Sequence, residues 1–273
     1  MSSKARGTNE SPIPPTADQP RRGIPRNPVC ESSVDEESLE NNHPVDFLSF
    51  GLTKMGLIEI YQTLQQVYPF PTGWPRGDWP VSRKFHPYHL EVVAGAILTQ
   101  NVNWNNVEKA LERMIQEGLV DVEKISRCPR PQLEAAIRSS GFFRQKAQRL
   151  QTIARFISDY PGDFYRHVQR EQLLAIKGIG PETADSILLY ACGQTHFVID
   201  AYTRRIFERY SAWDRKAGYD NIKDTFESQL PVEISLYKKF HALIVEHAKR
   251  TCKKVPRCEE CVLREECRWA GDD

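Results

Sequence analysis

The stretch Leu173-Leu174-Ala175-Ile176-Lys177-Gly178-Ile179-Gly180-Pro181-Glu182-Thr183-Ala184 sets two glycines around one isoleucine, between two runs of helix-forming residues. Glycine tolerates positive φ and lets another chain approach closely, so the pair permits a very tight turn. Proline suits the first turn of a helix, where its missing N–H costs nothing, so Pro181 marks the start of the second helix. Such a hairpin turns free N–H groups outward at a helix N-terminus, an arrangement suited to one phosphate-sized anion. Lys177, Gly178, Ile179 and Gly180 are the candidates for that contact. A plain αα-corner uses the same residues, and on this segment alone both readings stand.

Working outward, Phe197-Val198-Ile199 leads into Asp200, which precedes Arg204 and Arg205 and is placed to cap a helix. Apolar residues at helical spacing predict an early helix near 53–67, then helices over 90–99 and 105–117, the latter closed by Gly118. Further helices are predicted over 131–139, 144–159, 169–176, 182–192, 200–210, 220–228 and 234–249. A Pro- and Trp-rich connector, Pro69 to Pro87, interrupts them. Strand-like alternation is almost absent, so the expected class is all-α, built from short helices.

The chain has 273 residues and a net charge of +1. Residues 1–45 hold five basic and seven acidic residues, with little apolar periodicity, and read as a disordered tail. The remainder is mildly basic, which permits a nucleic-acid partner without demanding one. No apolar run is long enough for a membrane span, and no charged-then-apolar start suggests secretion.

Four of the seven cysteines fall in the last 22 residues, as Cys252, Cys258, Cys261 and Cys267. A tight cluster without a secretory signal points to metal ligation rather than disulfides. From the cysteines alone, zinc and a [4Fe–4S] cluster are equally good readings. Lys253, Lys254 and Arg257 lie between the first two cysteines, where they serve either solubility or phosphate binding.

The hairpin, Asp200 and the cysteine cluster, in this order, resemble the helix-hairpin-helix DNA glycosylase superfamily. The likeness is to its endonuclease III-like members, which carry a [4Fe–4S] cluster. It covers roughly residues 55–270. It implies two helical lobes with a DNA cleft between them, one of residues 88–184 and one of 53–67 with 185–273. It implies that Asp200, 18 positions after Glu182, is the catalytic carboxylate. A carboxylate there stabilises the oxocarbenium character that builds on the sugar as a base leaves. Strand-cleaving members have a lysine at the position of Glu182; glutamate forms no Schiff base, so water becomes the nucleophile.

The run Gly95-Ala96-Ile97-Leu98-Thr99-Gln100-Asn101-Val102-Asn103-Trp104 is similar to the alkylation-repair branch, which includes bacterial 3-methyladenine glycosylases. There Gln100 would fill the gap left by an extruded nucleotide, and Trp104 would stack on the base. An indole face attracts a cationic purine; a core role for Trp104 is an equal alternative. Asp78-Trp79-Pro80 keeps one of the two adjacent tryptophans of that branch, and Trp79 is a candidate second wall. Phe142 and Phe143 match another family segment as core or wedge residues, with core the favoured reading. The helix Phe240–Lys249 resembles the one leading into the family's cluster loop, which selects [4Fe–4S] over zinc.

The implied function is monofunctional excision of alkylated purines such as 3-methyladenine from double-stranded DNA. The implied enzyme is a monomer in the bacterial cytoplasm with no membrane contact. Excision of a mispaired adenine, oxidised-pyrimidine excision and a non-catalytic DNA-binding module are the rivals. The first is opposed by the lack of an extra C-terminal domain, the second by Glu182 and the third by Asp200. A zinc-stabilised interaction protein would leave the hairpin and Gln100 unexplained.

Overall fold

The computed structural model describes residues 55–68, 84–211 and 216–271. The expected tail, the start of the early helix and Trp79 lie outside these residues. The described residues all belong to one compact unit. They are helical, with a single isolated bridge between His86 and Asp121, in agreement with the all-α expectation.

The first helix, α1 (Leu57–Val67), buries Leu57, Ile60 and Leu64 on one face, which packs against the later helices. Helix α2 (His89–Leu98) is apolar nearly all round, as a central helix must be. Its neighbour α3 (Trp104–Gln116) is amphipathic. Asn103 caps it by accepting from the Asn106 N–H at 3.2 Å, and Gly118 ends it at φ +70°. Then come α4 (Val122–Arg127), α5 (Arg130–Ala136), a 3-10 turn (Arg138–Ser140) and the long α6 (Phe143–Asp159). Two short helices, α7 (Phe164–His167) and α8 (Arg170–Leu174), lead to the glycine hairpin.

The sequence pattern does not distinguish α4 or α7 as helices. Each is under two turns long and buries a single apolar side chain, Ile125 and Phe164. Their caps, Asp121 and Asp163, are the residues that define them.

Past the hairpin, α9 (Pro181–Ser186) runs into a π-helical turn (Ile187–Ala191) rather than continuing as one regular helix. The buried run Phe197-Val198-Ile199 then delivers the chain to α10 (Ala201–Tyr210). Helices α11 (Tyr219–Gln229) and α12 (Ile234–Arg250) follow, and α13 (Arg268–Gly271) ends the described chain. An aromatic core joins these elements. Phe197 stacks on Phe226 with centroids 4.5 Å apart, and Phe207 and Phe240 pack edgewise against the pair.

Candidate active site

A recess of about 230 Å³ opens where α2, the turn after it, α9, the π turn, the start of α10 and α12 meet. Gln100, Trp104, Glu182 and Asp200, singled out from three separate stretches of sequence, all line it.

Asp200 is the N-cap of α10. Its Oδ1 accepts from the Thr203 N–H at 2.7 Å and from the Thr203 hydroxyl at 2.8 Å. Its Oδ2 lies 3.5 Å from His241 Nε2. Capping contributes about 0.5–2 kcal/mol and needs one oxygen; the second oxygen faces His241 and the recess. Burial by itself would raise this carboxyl, but His241 and the Thr203 bonds outweigh it and hold Asp200 below the usual carboxylate range.

Glu182 behaves oppositely. It sits at the open side of the recess, exposed as a residue. Desolvation by the surrounding walls, reinforced by the Asp200 charge, pushes its carboxyl up to about 7. One cavity therefore holds two carboxylates driven apart in acidity, a pattern that divides acid, base and electrostatic roles.

Trp104 begins α3, is half-buried against the core, and presents part of its surface to the recess. Its indole N–H donates to Glu108 at 2.8 Å. The core and cavity-wall readings are thus both partly realised by one side chain.

In the hairpin, Gly178 takes φ +93°, and Gly180 is the extended N-cap of α9. Ile179 requires a correction. Its side chain is buried and its N–H donates to the Ile176 carbonyl at 3.0 Å, so it anchors the turn and is not offered to an anion. Lys177, Gly178 and Gly180 remain exposed.

Gln100 is tied to this hairpin. Its amide nitrogen donates to the Gly178 carbonyl at 3.2 Å and to the Thr183 hydroxyl at 2.9 Å. Its carbonyl accepts from Arg149. Entering a DNA stack would require Gln100 to exchange these bonds.

The core reading of Phe142 is also corrected. The residue is 64% exposed. Gly141 and Phe142 both take positive φ, +64° and +45°, which turns the ring outward at the start of α6, while Phe143 packs on the core. The buried ammonium of Lys146 donates to the Leu98 and Ser140 carbonyls at 2.8 and 2.5 Å. It thereby joins the turn carrying Gln100 to the turn carrying Phe142.

The cysteine loop lies beyond the far end of α10. Cys252, Cys258, Cys261 and Cys267 line one pocket of about 20 Å³ and form no disulfide. Among the described residues no three His, Cys, Asp or Glu side chains converge on a single-ion site. Four thiols around a shared void are a donor set that suits a thiolate-bound metal group. Arg209 places a guanidinium nitrogen 3.4 Å from Cys252 Sγ, which suits an anionic thiolate-bound group. Lys254 and Arg257 are exposed on this loop and Lys253 is half-buried.

Tyr190, Tyr202, His241 and Lys249 also line the recess and were not singled out from the sequence. A histidine on the core face of α12 was the one available signal, and it required knowing which face met Asp200.

Comparison with known proteins bears on the family and the fold. Residues 94–231 match the profile of the HhH-GPD superfamily base excision DNA repair proteins. The chain is 41% identical over 219 residues to a provisionally assigned DNA repair glycosylase of Methanocaldococcus jannaschii, spanning 77% of this chain and 95% of that one. It is 29% identical to an endonuclease III of Sulfolobus acidocaldarius, over 66% of this chain and 82% of that protein. Among solved structures, the 3-methyladenine DNA glycosylase of H. pylori with bound 1,N6-ethenoadenine matches with a TM-score of 0.63 and 29% identity, covering 72% and 98% of the two chains. A trapped endonuclease III–DNA covalent intermediate shares the fold, with a TM-score of 0.65 at 20% identity over 80% and 98% of the chains.

Proposed function

For a chain that belongs to the HhH-GPD superfamily of base excision DNA repair proteins, and is an endonuclease III-like DNA glycosylase, we propose monofunctional release of alkylated purines from duplex DNA. The observation that carries this is the makeup of the recess, where two carboxylates and an indole line one cavity and the hairpin helix contributes Glu182, not an amine.

In this mechanism the extruded purine lies against Trp104, whose π-face favours a cationic, N-methylated ring. The C1′–N bond breaks with its electron pair leaving on the base. Asp200, ionised at neutral pH, stabilises the positive charge that develops on the sugar. Water then adds to C1′, and its proton passes to a carboxylate of the cavity. Glu182, near neutrality, is the better matched acceptor. The similarity to a 3-methyladenine glycosylase structure supports the substrate class.

Duplex DNA would lie in a cleft between the 88–184 lobe and the lobe of 53–67 with 185–273. Lys177, Gly178, Gly180, Lys253, Lys254 and Arg257 would meet its phosphates. Gln100 would fill the gap and Phe142 would serve as the wedge. Trp79 remains a candidate second wall. Cys252, Cys258, Cys261 and Cys267 would hold a [4Fe–4S] cluster that cross-links the loop.

The test is release of free base from methylated, deaminated and oxidised duplexes, with borohydride trapping alongside. We expect 3-methyladenine release, an intact abasic strand and no trapped adduct. Glu182→Lys should create trapping, since it restores an amine at that position. Efficient trapping by the unmodified protein, for which Lys249 is the lining amine, would overturn the monofunctional reading. Activity on oxidised pyrimidines alone would overturn the substrate.

A further inference from the structure

The Asp200 carboxylate is backed by two residues that make no contact with solvent to speak of. His241, from α12, is 1% exposed, and Tyr190, from the π turn, is 6% exposed. The Tyr190 hydroxyl lies 2.7 Å from His241 Nδ1, and His241 Nε2 lies 3.5 Å from Asp200 Oδ2. The π turn is what brings Tyr190 here. The Cys192 N–H reaches back to the Ile187 carbonyl at 3.1 Å, five residues away, so this turn is wider than an α-turn. Inserted turns of this kind concentrate at functional sites.

We propose that Tyr190 and His241 are positioning residues for Asp200: Tyr190 fixes the His241 ring so that its Nε2–H faces Oδ2 and keeps that oxygen ionised and aimed into the recess. This rests on the reading of Asp200 as the catalytic carboxylate.

The directionality follows from the chemistry of the three groups. An ionised carboxylate only accepts, so the histidine atom facing it must carry a proton. When Nε2 carries the ring's proton toward Asp200 and Nδ1 carries none, Nδ1 accepts and Tyr190 donates to it. Burial, with the Asp200 charge adding to it, pushes the Tyr190 phenol well above its usual range, so the phenol keeps the proton it donates. Oδ1 is meanwhile locked by Thr203, leaving Oδ2 as the oxygen free to act. The other groups facing this set are Glu182 from α9, Tyr202 from α10 and Lys249 from the end of α12. Lys238, with Nζ 5.8 Å from the Tyr190 ring centroid, completes them.

The experiment is single-turnover base release from methylated duplex as a function of pH, for the full chain and four variants, each compared in the Glu182→Gln background so that the acid limb reports Asp200 and not the Glu182 carboxyl at about 7. His241→Leu should move the acid limb up by about one pH unit and slow release about tenfold at neutral pH, because Asp200 loses its facing N–H. His241→Gln, whose amide nitrogen falls near the Nε2 position, should restore most of both. Tyr190→Phe deletes one oxygen and should move the limb in the same direction by less, with lesion-DNA affinity unchanged. An acid limb that stays in place in Tyr190→Phe and His241→Leu overturns the proposal, as does a slow His241→Leu that His241→Gln does not rescue. If His241→Leu fails to fold, Tyr190→Phe decides alone. Asp200→Asn runs alongside: should it keep near-normal rates, the catalytic reading of Asp200 fails. An inactive Asp200→Asn with silent Tyr190 and His241 variants sinks this inference only.

Discussion

Asp200 caps the first turn of α10 inside the recess, and further along the same helix Arg205 and Arg209 hold the cysteine loop. Arg205 donates to the Cys252 and Ala248 carbonyls at 3.0 and 3.2 Å, and Arg209 to those of Lys253 and Lys254 at 2.6 and 2.8 Å. The two regions share a helix but are built differently. The recess is walled by buried elements, with α2, the π turn and Phe197–Ile199 behind it. The loop has two 3-10 turns of three residues each, and Leu263 is its buried apolar side chain beyond α12. The recess therefore keeps its shape through protein packing, whereas the loop relies on two arginines and on whatever its four thiols hold. A chemical change in the recess should alter rate without altering shape, and a change in the loop should do the reverse.

The largest effect expected is from Asp200→Asn. It keeps the cap, because the amide oxygen still accepts from Thr203, and it removes the charge. Base release should fall on the order of 10²–10³-fold, the usual cost of losing one preorganised electrostatic contact in a dry site. Lesion-DNA binding and the visible absorbance of the proposed cluster should be unchanged. A variant with near-normal single-turnover rates would reduce Asp200 to a cap.

Cys261→Ser tests the other half of the comparison. With the proposed [4Fe–4S] cluster in place, it should remove that cluster's brown colour and open the loop to trypsin at Lys253, Lys254 and Arg257, while base release falls far less than in Asp200→Asn. Equal loss of both would mean that the recess depends on the loop. Stoichiometric zinc without iron in anaerobically purified protein would remove the cluster from the account.

Legibility in the sequence followed the same division. The hairpin turn, the cap position of Asp200 and the clustering of the four cysteines could be read because each shows within a short run of residues. So could most helices, since one buried stripe defines them. Tyr190 and His241 lie 51 residues apart, and the π turn that aims Tyr190 has no pattern distinct from a regular helix. Phe142 was misread because an aromatic side chain suggests a core, whereas the backbone around Gly141 turns it to solvent. Ile179 was misread in the other direction: the hairpin needs an apolar plug, and its flanking glycines face outward.

Trp104→Ala should give an intermediate effect, slowing release of methylated purines by an amount corresponding to roughly 1–3 kcal/mol of lost stacking. Hypoxanthine, a neutral purine, should be less affected, because the cationic component of the stacking is absent. Equal losses on both bases would make Trp104 a packing residue of α3.

The smallest effect concerns Glu182 and stability. Its carboxyl is raised from 4.5 in the unfolded chain to about 7 in the folded one. Between those values the folded state binds the extra proton, so stability from this group is fully present below the lower value. It is lost as pH rises through the upper one. Glu182→Gln is neutral at every pH and avoids that loss. It should melt with the unmodified protein near pH 4.5 and above it at pH 8. Because Glu182 is exposed, solvent screening reduces the difference to about 1 kcal/mol or less, a few degrees at most for a chain of this size. Part of the penalty comes from the Asp200 charge, so the gain should shrink when Asp200→Asn is already present. Identical melting of Glu182→Gln and the unmodified protein at pH 8 would show that the recess leaves this carboxylate solvated. The contrast in acidity between the two carboxylates would then disappear, and with it the assignment of the water's proton to Glu182.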